Sequence, residues 1–524
     1  MYDKERGLYI AHCNNGPLSL IGKMANRHGL IAGATGTGKT VTLQVMAETF
    51  SMAGVPCFMA DMKGDLSGIS QAGKTSSFIE KRKDEFGIPN PEYQACPVRF
   101  FDVFGEQGHP MRSTISKMGP QLLSRILQLN DTQEGVLNIL FRIADEKGLL
   151  LDDIKDLRSM LNYISKHASE YTATYGNIAP QSVGAIQRAL LTLENQGGEK
   201  FFSEPSFDIL DLLQCDANGR GIMNVLAADK LMHNPKLYST FLLWLLSELY
   251  TTLPEVGDMD LPRLVFFFDE AHMLFDGTSK SLTDKIEQVI RLIRSKGVGV
   301  YFISQLPTDI PHVILGQLGN RVQHALRAYT PRDQKALKVA AETFRANPEF
   351  KTEEAIMALG TGDALVSFLD EKGAPNIVQN AKVLFPMSQI GPIDESQRRQ
   401  IINSSRLYGK YDKQVERHSA FEELLALAEA EEKELKKQQE LQLAEKEKAQ
   451  KEKAKEKKKG KSWLSKVWKA IVTAITATLA TALGNAVIGK KSRNSTGKSV
   501  VKNATTAATR QITRDILGNL IKVK

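Results

Sequence analysis

One short stretch of this 524-residue chain constrains its fold more than any other, a glycine-rich loop within residues 29–40. An apolar run at 30–32 is typical of a buried parallel strand, and helix-forming residues begin directly after the loop. Between them Gly-Ala-Thr-Gly-Thr-Gly-Lys-Thr matches G-x-x-x-x-G-K-[ST] at every fixed position. In this strand, loop, helix context the motif predicts a phosphate-binding loop (P-loop), because glycines let successive backbone N–H groups turn inward around an anion.

The motif assigns a chemical role to each part of the loop. We expect Lys39 to reach the β- and γ-phosphates of ATP, and the Thr40 hydroxyl to ligate Mg²⁺. The N-terminal end of the following helix favours negative charge at the same place. The residues predicted to bind the nucleotide are Gly33, Ala34, Thr35, Gly36, Thr37, Gly38, Lys39, Thr40 and Val41.

A second diagnostic stretch is the apolar run at 264–268, which predicts a central parallel strand covered on both faces. Asp269 and Glu270 follow it immediately. We expect Asp269 to hold Mg²⁺ through a water molecule, and Glu270 to orient and polarise the attacking water. Downstream of a complete P-loop, this acidic pair predicts Mg²⁺-dependent hydrolysis of ATP.

Polar residues also follow two other predicted strands. Asp61, Lys63 and Asp65 come after the strand at 55–60, and Gln305 ends the strand at 297–305. Because ligands bind beyond the carboxyl ends of parallel strands, these side chains are expected near the nucleotide. Gln305 is placed like a sensor of the γ-phosphate or its attacking water. The alternatives are a solvated polar turn for Lys63 and Asp65, and a strand-end cap for Gln305.

Two arginines, Arg291 and Arg294, stand near the end of a predicted helix at 281–295. A basic helix end is favoured by the helix dipole, which is one interpretation. The other is a role across a subunit boundary, and Arg294 is the candidate for a catalytic arginine supplied in trans.

The arrangement of predicted elements favours an α/β fold with a mostly parallel central sheet and a helical insertion. Forty-two per cent apolar residues allow a sizeable core. The scattered cysteines predict neither a disulfide framework nor a zinc site, and with the charged N-terminus they favour a cytoplasmic protein. The expected parts are 1–119 and 214–410 for the two halves of the ATPase core, 120–213 for the helical insertion, 411–461 for a charged helical linker and 462–524 for a basic helical tail.

Charge is concentrated in the tail. Residues 462–524 hold eleven basic residues against the single acid Asp515, so their net charge is +10 and the preceding 461 residues sum to about −2. The segment 470–489 has no charged side chain until Lys490, although it contains several threonines. For 463–489 three interpretations stay open: soluble helical packing or oligomer contact, peripheral contact with the inner membrane, and a true span.

With both nucleotide motifs in view, the chain resembles the HerA/FtsK group of P-loop ATPases, and most closely the bacterial HerA-like proteins. The resemblance rests on the P-loop, the turn at 61–65, Phe-Phe-Phe-Asp-Glu-Ala-His at 266–272 and Ile-Ser-Gln at 303–305. It covers roughly residues 7–390 and the terminal pattern at 498–520. It implies a RecA-like core, a homo-hexameric ring with ATP sites between subunits, an arginine in trans, translocation on duplex DNA and sometimes a nuclease partner.

Two features separate this sequence from DNA-resecting members of that group. Those members usually carry a β-barrel before the P-loop, for which 28 residues leave no room, and the body of this chain is nearly neutral. The alternative function is a P-loop ATPase that acts on a protein or membrane-associated assembly through its basic tail. A nucleotide kinase is a weaker third interpretation, because we find no motif for a second substrate.

Overall fold

The computed structural model describes residues 2–3, 5–257, 259–275 and 280–457. The chain divides into two compact units, Met1–Glu429 and Ala430–Lys524. The basic tail at 462–524, including the apolar segment at 463–489, lies outside the described residues.

The first unit is built on one sheet with helices on both faces. Its strands are β1 (Tyr2–Asp3), β2 (Gly7–Cys13), β3 (Gly16–Leu20), β4 (Gly29–Ala32), β5 (Cys57–Asp61), β6 (Val98–Asp102), β7 (His109–Pro110), β8 (Met223–Ala227), β9 (Leu264–Phe268), β10 (Val298–Ser304), β11 (Asn320–Gln323), β12 (Asp363–Ser367) and β13 (Gln379–Val383). The α-helices are α1 (Lys39–Met52), α2 (Ser77–Arg82), α3 (Ile115–Ile126), α4 (Asp131–Lys147), α5 (Ile154–Lys166), α6 (Ala168–Tyr175), α7 (Pro180–Asn195), α8 (Gly198–Phe201), α9 (Pro235–Thr252), α10 (Lys280–Ile293), α11 (His312–Leu315), α12 (Pro331–Glu342), α13 (Thr352–Ala358), α14 (Glu395–Ser404) and α15 (Ala420–Lys457).

The strands form a single sheet in the order β1-β2-β13-β12-β11-β4-β10-β9-β5-β8-β6-β7, with β3 paired to β2. From β11 to β7 every pairing is parallel. The pairings from β11 through β12, β13 and β2 are antiparallel. The predicted α/β fold with a mostly parallel sheet is therefore confirmed.

The central strands are apolar on both faces because each face covers a separate core. Phe266 and Phe268 of β9 belong to the core that includes the insertion helices and α9. Val265 and Phe267 belong to the opposite core, which includes α1. Successive side chains of a strand point to opposite faces, so an unbroken apolar run is what a strand buried on both sides requires.

The helical insertion extends from α3 to α8 and lies in sequence between β7 and β8. It begins at Ile115, close to the predicted start at 120, and its helices carry clear start signals. Asn130 caps α4 and Asp153 caps α5, each in a capping box with the residue three positions on.

Residues 405–424 form a segment, here called the strap, that packs against the insertion. Tyr411, Ala420 and Leu424 are buried in the same core as the insertion helices. The first unit consequently extends to Glu429, whereas the linker was expected to start at 411. Burial of three apolar residues in an otherwise charged stretch accounts for the difference.

The helix α15 begins in the strap and is 38 residues long. Within the described ranges, no helix is both long and apolar enough to cross a bilayer. Residues 463–489, for which a membrane span was one of three interpretations, lie outside those ranges.

Candidate nucleotide site

The sheet order brings the two predicted motifs together. The strand β10 pairs in parallel with β4 on one side and with β9 on the other, in a register that places Ser304 beside Ala32 and Phe302 beside Phe268. The P-loop after β4 and the acidic pair after β9 therefore leave the same edge of the sheet, one strand apart. Two strand spacings amount to roughly 10 Å, which leaves room for a triphosphate between them.

The P-loop bridges β4 and α1 and is tied to its neighbours through its backbone. The Gly33 amide donates to the Ser304 carbonyl over 3.3 Å, and the Ala34 amide donates to the Ala325 carbonyl over 2.9 Å. Gly38 begins the turn into α1 with φ 118°, in the left-handed region that favours glycine.

Lys39 lies inside this loop. Its ammonium group donates to the carbonyls of Gly33 at 2.7 Å and Ala34 at 3.0 Å. Burial lowers the pKa of Lys39, although the nearby carboxylates of Glu270 and Asp269 act in the opposite direction. A buried cation that these two carboxylates face is suited to bind phosphate oxygens.

Asp269 follows β9 directly and is almost fully buried. Its Oδ1 accepts a hydrogen bond from the Glu270 amide over 2.9 Å, whereas its buried Oδ2 has no hydrogen-bond partner among the described residues. Burial raises the pKa of Asp269 to about 6, and the negative charge of Glu270 adds to the effect. An oxygen of this kind is a candidate ligand for a cation, directly or through water.

Glu270 has a left-handed backbone, with φ 47° and ψ 47°. Its Oε1 accepts a hydrogen bond from the Lys63 ammonium at 2.5 Å, and its buried Oε2 lies 3.4 Å from His272 Nδ1 without a hydrogen bond. Burial would raise the pKa of Glu270, but the bond and charge of Lys63 outweigh it and the net pKa shift is downward. Glu270 is thus suited to act as an ionised base.

The turn after β5 lies beside this pair, as the strand order leads one to expect. Asp61 Oδ2 accepts a hydrogen bond from the Leu66 amide over 3.2 Å. Burial raises the pKa of Asp61 to about 7, with a further contribution from Asp65. Lys63 reaches across to Glu270, so the interpretation of the turn as merely solvated does not hold for Lys63.

Gln305 and Arg294 stand at opposite ends of β10. Gln305 is exposed and directly follows the strand, on the edge that carries the P-loop. Arg294 precedes the strand, on the opposite edge, so it does not reach the site of its own chain. Its predicted role in trans stays a prediction. Arg291 is exposed and is paired with the partly buried Glu287 at 2.7 Å, one turn earlier in α10.

Sequence reasoning missed one residue that supports the P-loop, His324, which follows β11. Its Nδ1 lies 2.9 Å from the Asp363 carbonyl and its Nε2 lies 2.8 Å from the Thr42 hydroxyl. A carbonyl only accepts, so Nδ1 carries the proton and the hydroxyl donates to Nε2. A Cβ added at Gly33 would lie 2.5 Å from His324 Cβ, so only glycine fits there. The sequence signal is a single histidine after an apolar strand, which is not diagnostic.

The residues present fit a magnesium ion. The donor set is a threonine hydroxyl at Thr40 and a carboxylate at Asp269, which are oxygen ligands of the kind Mg²⁺ prefers. The orphaned Asp269 Oδ2 is the observation that favours this assignment. No group of three or more metal-binding His, Cys, Asp or Glu side chains occurs in the described ranges.

A P-loop at the carboxyl edge of a mostly parallel sheet, with an acidic pair one strand away, defines the class of P-loop NTPases with a RecA-like core. The family model described as helicase HerA-like C-terminal matches residues 8–524. The chain belongs to that family, in the HerA/FtsK group.

The relatives are distant. The probable helicase MJ1565 of Methanocaldococcus jannaschii is 19% identical over 345 residues, which is 66% of this chain and 60% of that protein. The chain therefore spans about 60% of the length of this curated relative.

Two solved proteins are similar to this chain at low sequence identity. The bacterial conjugative coupling protein TrwB is 15% identical, with a TM-score of 0.48 over 75% of this chain and 92% of TrwB. VirB4 of Thermoanaerobacter pseudethanolicus is 15% identical, with a TM-score of 0.46 over 73% of this chain and 97% of VirB4. TrwB has also been solved with ADP and Mg²⁺.

Proposed function

We propose that this protein is a Mg²⁺-dependent ATPase whose hydrolysis drives a ring motor of the HerA/FtsK type, with duplex DNA as its track. The observation that carries the enzymatic part is the convergence of Lys39, Asp269 and Glu270 at one sheet edge. The family membership supports the motor, and the DNA track rests on the family resemblance.

The chemistry follows from the positions of these side chains. Lys39 and the P-loop amides bind the phosphates, and Mg²⁺ held by Thr40 and Asp269 would neutralise charge on the β- and γ-phosphates. Glu270 accepts a proton from water, whose oxygen forms a bond to the γ-phosphorus as the bond to the β–γ bridging oxygen breaks. ADP and phosphate leave, and Gln305 is assigned to sense the γ-phosphate.

The enzymatic proposal predicts that Lys39→Ala and Glu270→Gln each lower ATP turnover at least about tenfold. Lys39 acts on charge that grows during phosphoryl transfer, and Glu270 acts on the attacking water. Steady-state phosphate release with purified full-length protein measures both. Turnover like that of the wild type in the two variants would reject this site.

The motor proposal predicts that duplex DNA stimulates ATP hydrolysis and that the stimulation falls steeply with salt, because basic side chains must displace counterions from the phosphates. The body of the chain is nearly neutral, so the contacts must come from a local ring of Lys or Arg, or from the tail. The active form is a homo-hexamer in which Arg294 of one subunit acts on the nucleotide site of its neighbour. A mass measurement in the presence of an ATP analogue tests the hexamer. If no DNA tested changes the rate of ATP hydrolysis, the proposal of duplex DNA as the track is rejected, whereas the proposal of an ATPase stands.

The tail supports a second candidate function, an ATPase acting on a protein or membrane-associated assembly. Its net charge of +10 would suit an anionic surface. Flotation with anionic liposomes, comparing the full chain with one ending after Glu429, separates the two candidates. The position after Glu429 is chosen because the strap packs on the insertion up to Leu424. On the family resemblance alone, we also propose a nuclease as a protein partner.

A further inference from the structure

The turn after β5 supplies a cation to the acidic pair after β9. Lys63 Nζ lies 2.5 Å from Glu270 Oε1, and the Lys63 side chain is 47% exposed whereas that of Glu270 is 8% exposed. The two residues are 207 positions apart in sequence, and β5 and β9 are adjacent strands. The contact is thus set by the sheet order, not by local sequence.

Glu270 needs a partner to keep its position. Two carboxylates, Asp269 and Asp65, face it from its own segment and from the turn after β5, while Lys63 and Lys39 supply positive charge. Repulsion from the two acids would displace an unpaired carboxylate toward solvent. The left-handed backbone of Glu270 sets the direction in which its side chain leaves the main chain, and the hydrogen bond from Lys63 fixes the position of Oε1.

The Lys63–Glu270 pair differs from an ordinary structural ion pair in the number of carboxylate oxygens that accept hydrogen bonds. Lys410 and Asp211 form a pair at 2.7 Å with nearly the same exposures, 46% and 9%. Both oxygens of Asp211 are occupied, because Oδ2 also accepts from the Tyr411 hydroxyl and Oδ1 accepts from Gln214. In Glu270 only Oε1 is held by a hydrogen bond, whereas Oε2 is buried without one among the described residues and lies 3.4 Å from His272 Nδ1.

We propose that Lys63 is a positioning residue for ATP hydrolysis, which holds Glu270 by Oε1 so that Oε2 is presented to the attacking water. The inference rests on the proposed function of Glu270 as the base. We do not assign Lys63 to phosphate binding, because its ammonium group donates a hydrogen bond to the Glu270 carboxylate. It acts on turnover through Glu270 and not on nucleotide affinity.

The test compares Lys63→Met, Lys63→Arg and the matched control Lys410→Met in the full-length protein. Lys63→Met is expected to lower kcat at least about fivefold with KM changed by less than about twofold, since transition-state alignment is lost but binding is not. Lys63→Arg keeps the charge and is expected to recover most of kcat, and Lys410→Met is expected to turn over like the wild type. Titration with a fluorescent, non-hydrolysable ATP analogue gives the affinity independently of turnover.

A double-mutant cycle decides whether Lys63 acts through Glu270. In the Glu270→Gln background, Lys63→Met should lower kcat by less than about twofold further, because the carboxylate it positions is already gone. A tenfold loss of analogue affinity in Lys63→Met, or an undiminished effect in the double variant, would overturn the inference by making Lys63 a phosphate ligand. A normal kcat in Lys63→Met overturns it as well. Absence of hydrolysis in the wild type and in Lys410→Met would instead reject the proposed function itself.

Discussion

At the scale of single residues, the site is a set of buried polar groups that only partly satisfy one another. Lys39 bonds to carbonyls of its own loop, Glu270 bonds to Lys63 through one oxygen, and Asp269 keeps one buried oxygen without a hydrogen bond among the described residues. Buried polar groups without partners are costly in a purely structural setting. The orphaned oxygens of Asp269 and Glu270, at the sheet edge where the two nucleotide motifs meet, favour a ligand site there.

His324 lies against the P-loop at Gly33, where a Cβ would come within 2.5 Å of the His324 Cβ. It bonds to Thr42 in α1 and to the Asp363 carbonyl, and burial lowers its pKa to about 4, so it is neutral at physiological pH. His324→Ala removes both bonds beneath the P-loop. We expect an unfolding free energy lower by about 2–3 kcal/mol and weaker binding of a fluorescent ATP analogue.

A matched control for His324 is His28, which precedes β4 at the opposite edge of the sheet. It is equally buried, has its pKa lowered to about 4 by burial, and bonds to the Ile290 carbonyl and the Val300 amide. His28→Ala should lose a similar amount of stability and keep the affinity of the wild type for the analogue. Equal losses of affinity in both variants would mean that His324 has only a general structural role.

At the scale of elements, α1 connects the P-loop to the chain beyond β13. Glu48 of α1 is buried and accepts hydrogen bonds from the Met387 amide at 2.8 Å, the Ser388 amide at 3.0 Å and the Ser388 hydroxyl. Burial raises the pKa of Glu48 to about 7, against the effect of these hydrogen bonds. The folded protein therefore binds a proton at Glu48 more tightly than the unfolded chain does.

This raised pKa predicts a pH-dependent contribution to stability. The contribution is fully present below the pKa of an unfolded glutamate, near 4.5, and is lost as pH rises through about 7. Relative to Glu48→Gln, which carries no charge at any pH, the wild type should lose up to about 3 kcal/mol between pH 4.5 and pH 8. Denaturant unfolding of both proteins at several pH values measures the difference, and a difference that does not change with pH contradicts the prediction.

The elements around the site were largely predictable, and the reasons are specific. The uninterrupted apolar run at 264–268 is what a strand buried on both faces requires, and the glycines at 33–38 favour a tight turn. The neighbours of Glu270 were not predictable in detail, because the order of strands in a sheet is set by packing between distant segments. Lys63 could be placed near the nucleotide from its position after β5, but not opposite Glu270.

At the scale of the whole molecule, the strap joins the end of the first unit to the helical insertion and to the segment between α8 and β8. Tyr411 donates to Asp211 Oδ2 at 2.5 Å and accepts from the Asp208 amide at 3.1 Å. Farther on, the Ser419 hydroxyl donates to Asp156 of α5 at 2.6 Å. The charged composition at 411–461 concealed this packing, because only a few apolar residues carry it.

The strap predicts a stability effect separate from catalysis. Tyr411→Phe leaves the Asp208 amide without its acceptor, so we expect a loss of about 1–3 kcal/mol in unfolding free energy and unchanged ATP turnover. Tyr408→Phe is the control, since Tyr408 lies three residues earlier and is 60% exposed. Thermal unfolding and phosphate release measured on the same samples test this. A fall in turnover without a fall in stability would instead connect the strap to the chemistry.

The central claim is that one sheet edge binds and hydrolyses ATP, with binding and chemistry divided between residues. Its most direct test measures analogue affinity and ATP turnover together for the wild type, Lys39→Ala and Glu270→Gln. We predict that Lys39→Ala loses affinity and turnover, and that Glu270→Gln keeps its affinity while turnover falls at least about tenfold. Full turnover by Glu270→Gln, or undiminished affinity and turnover in Lys39→Ala, would contradict it.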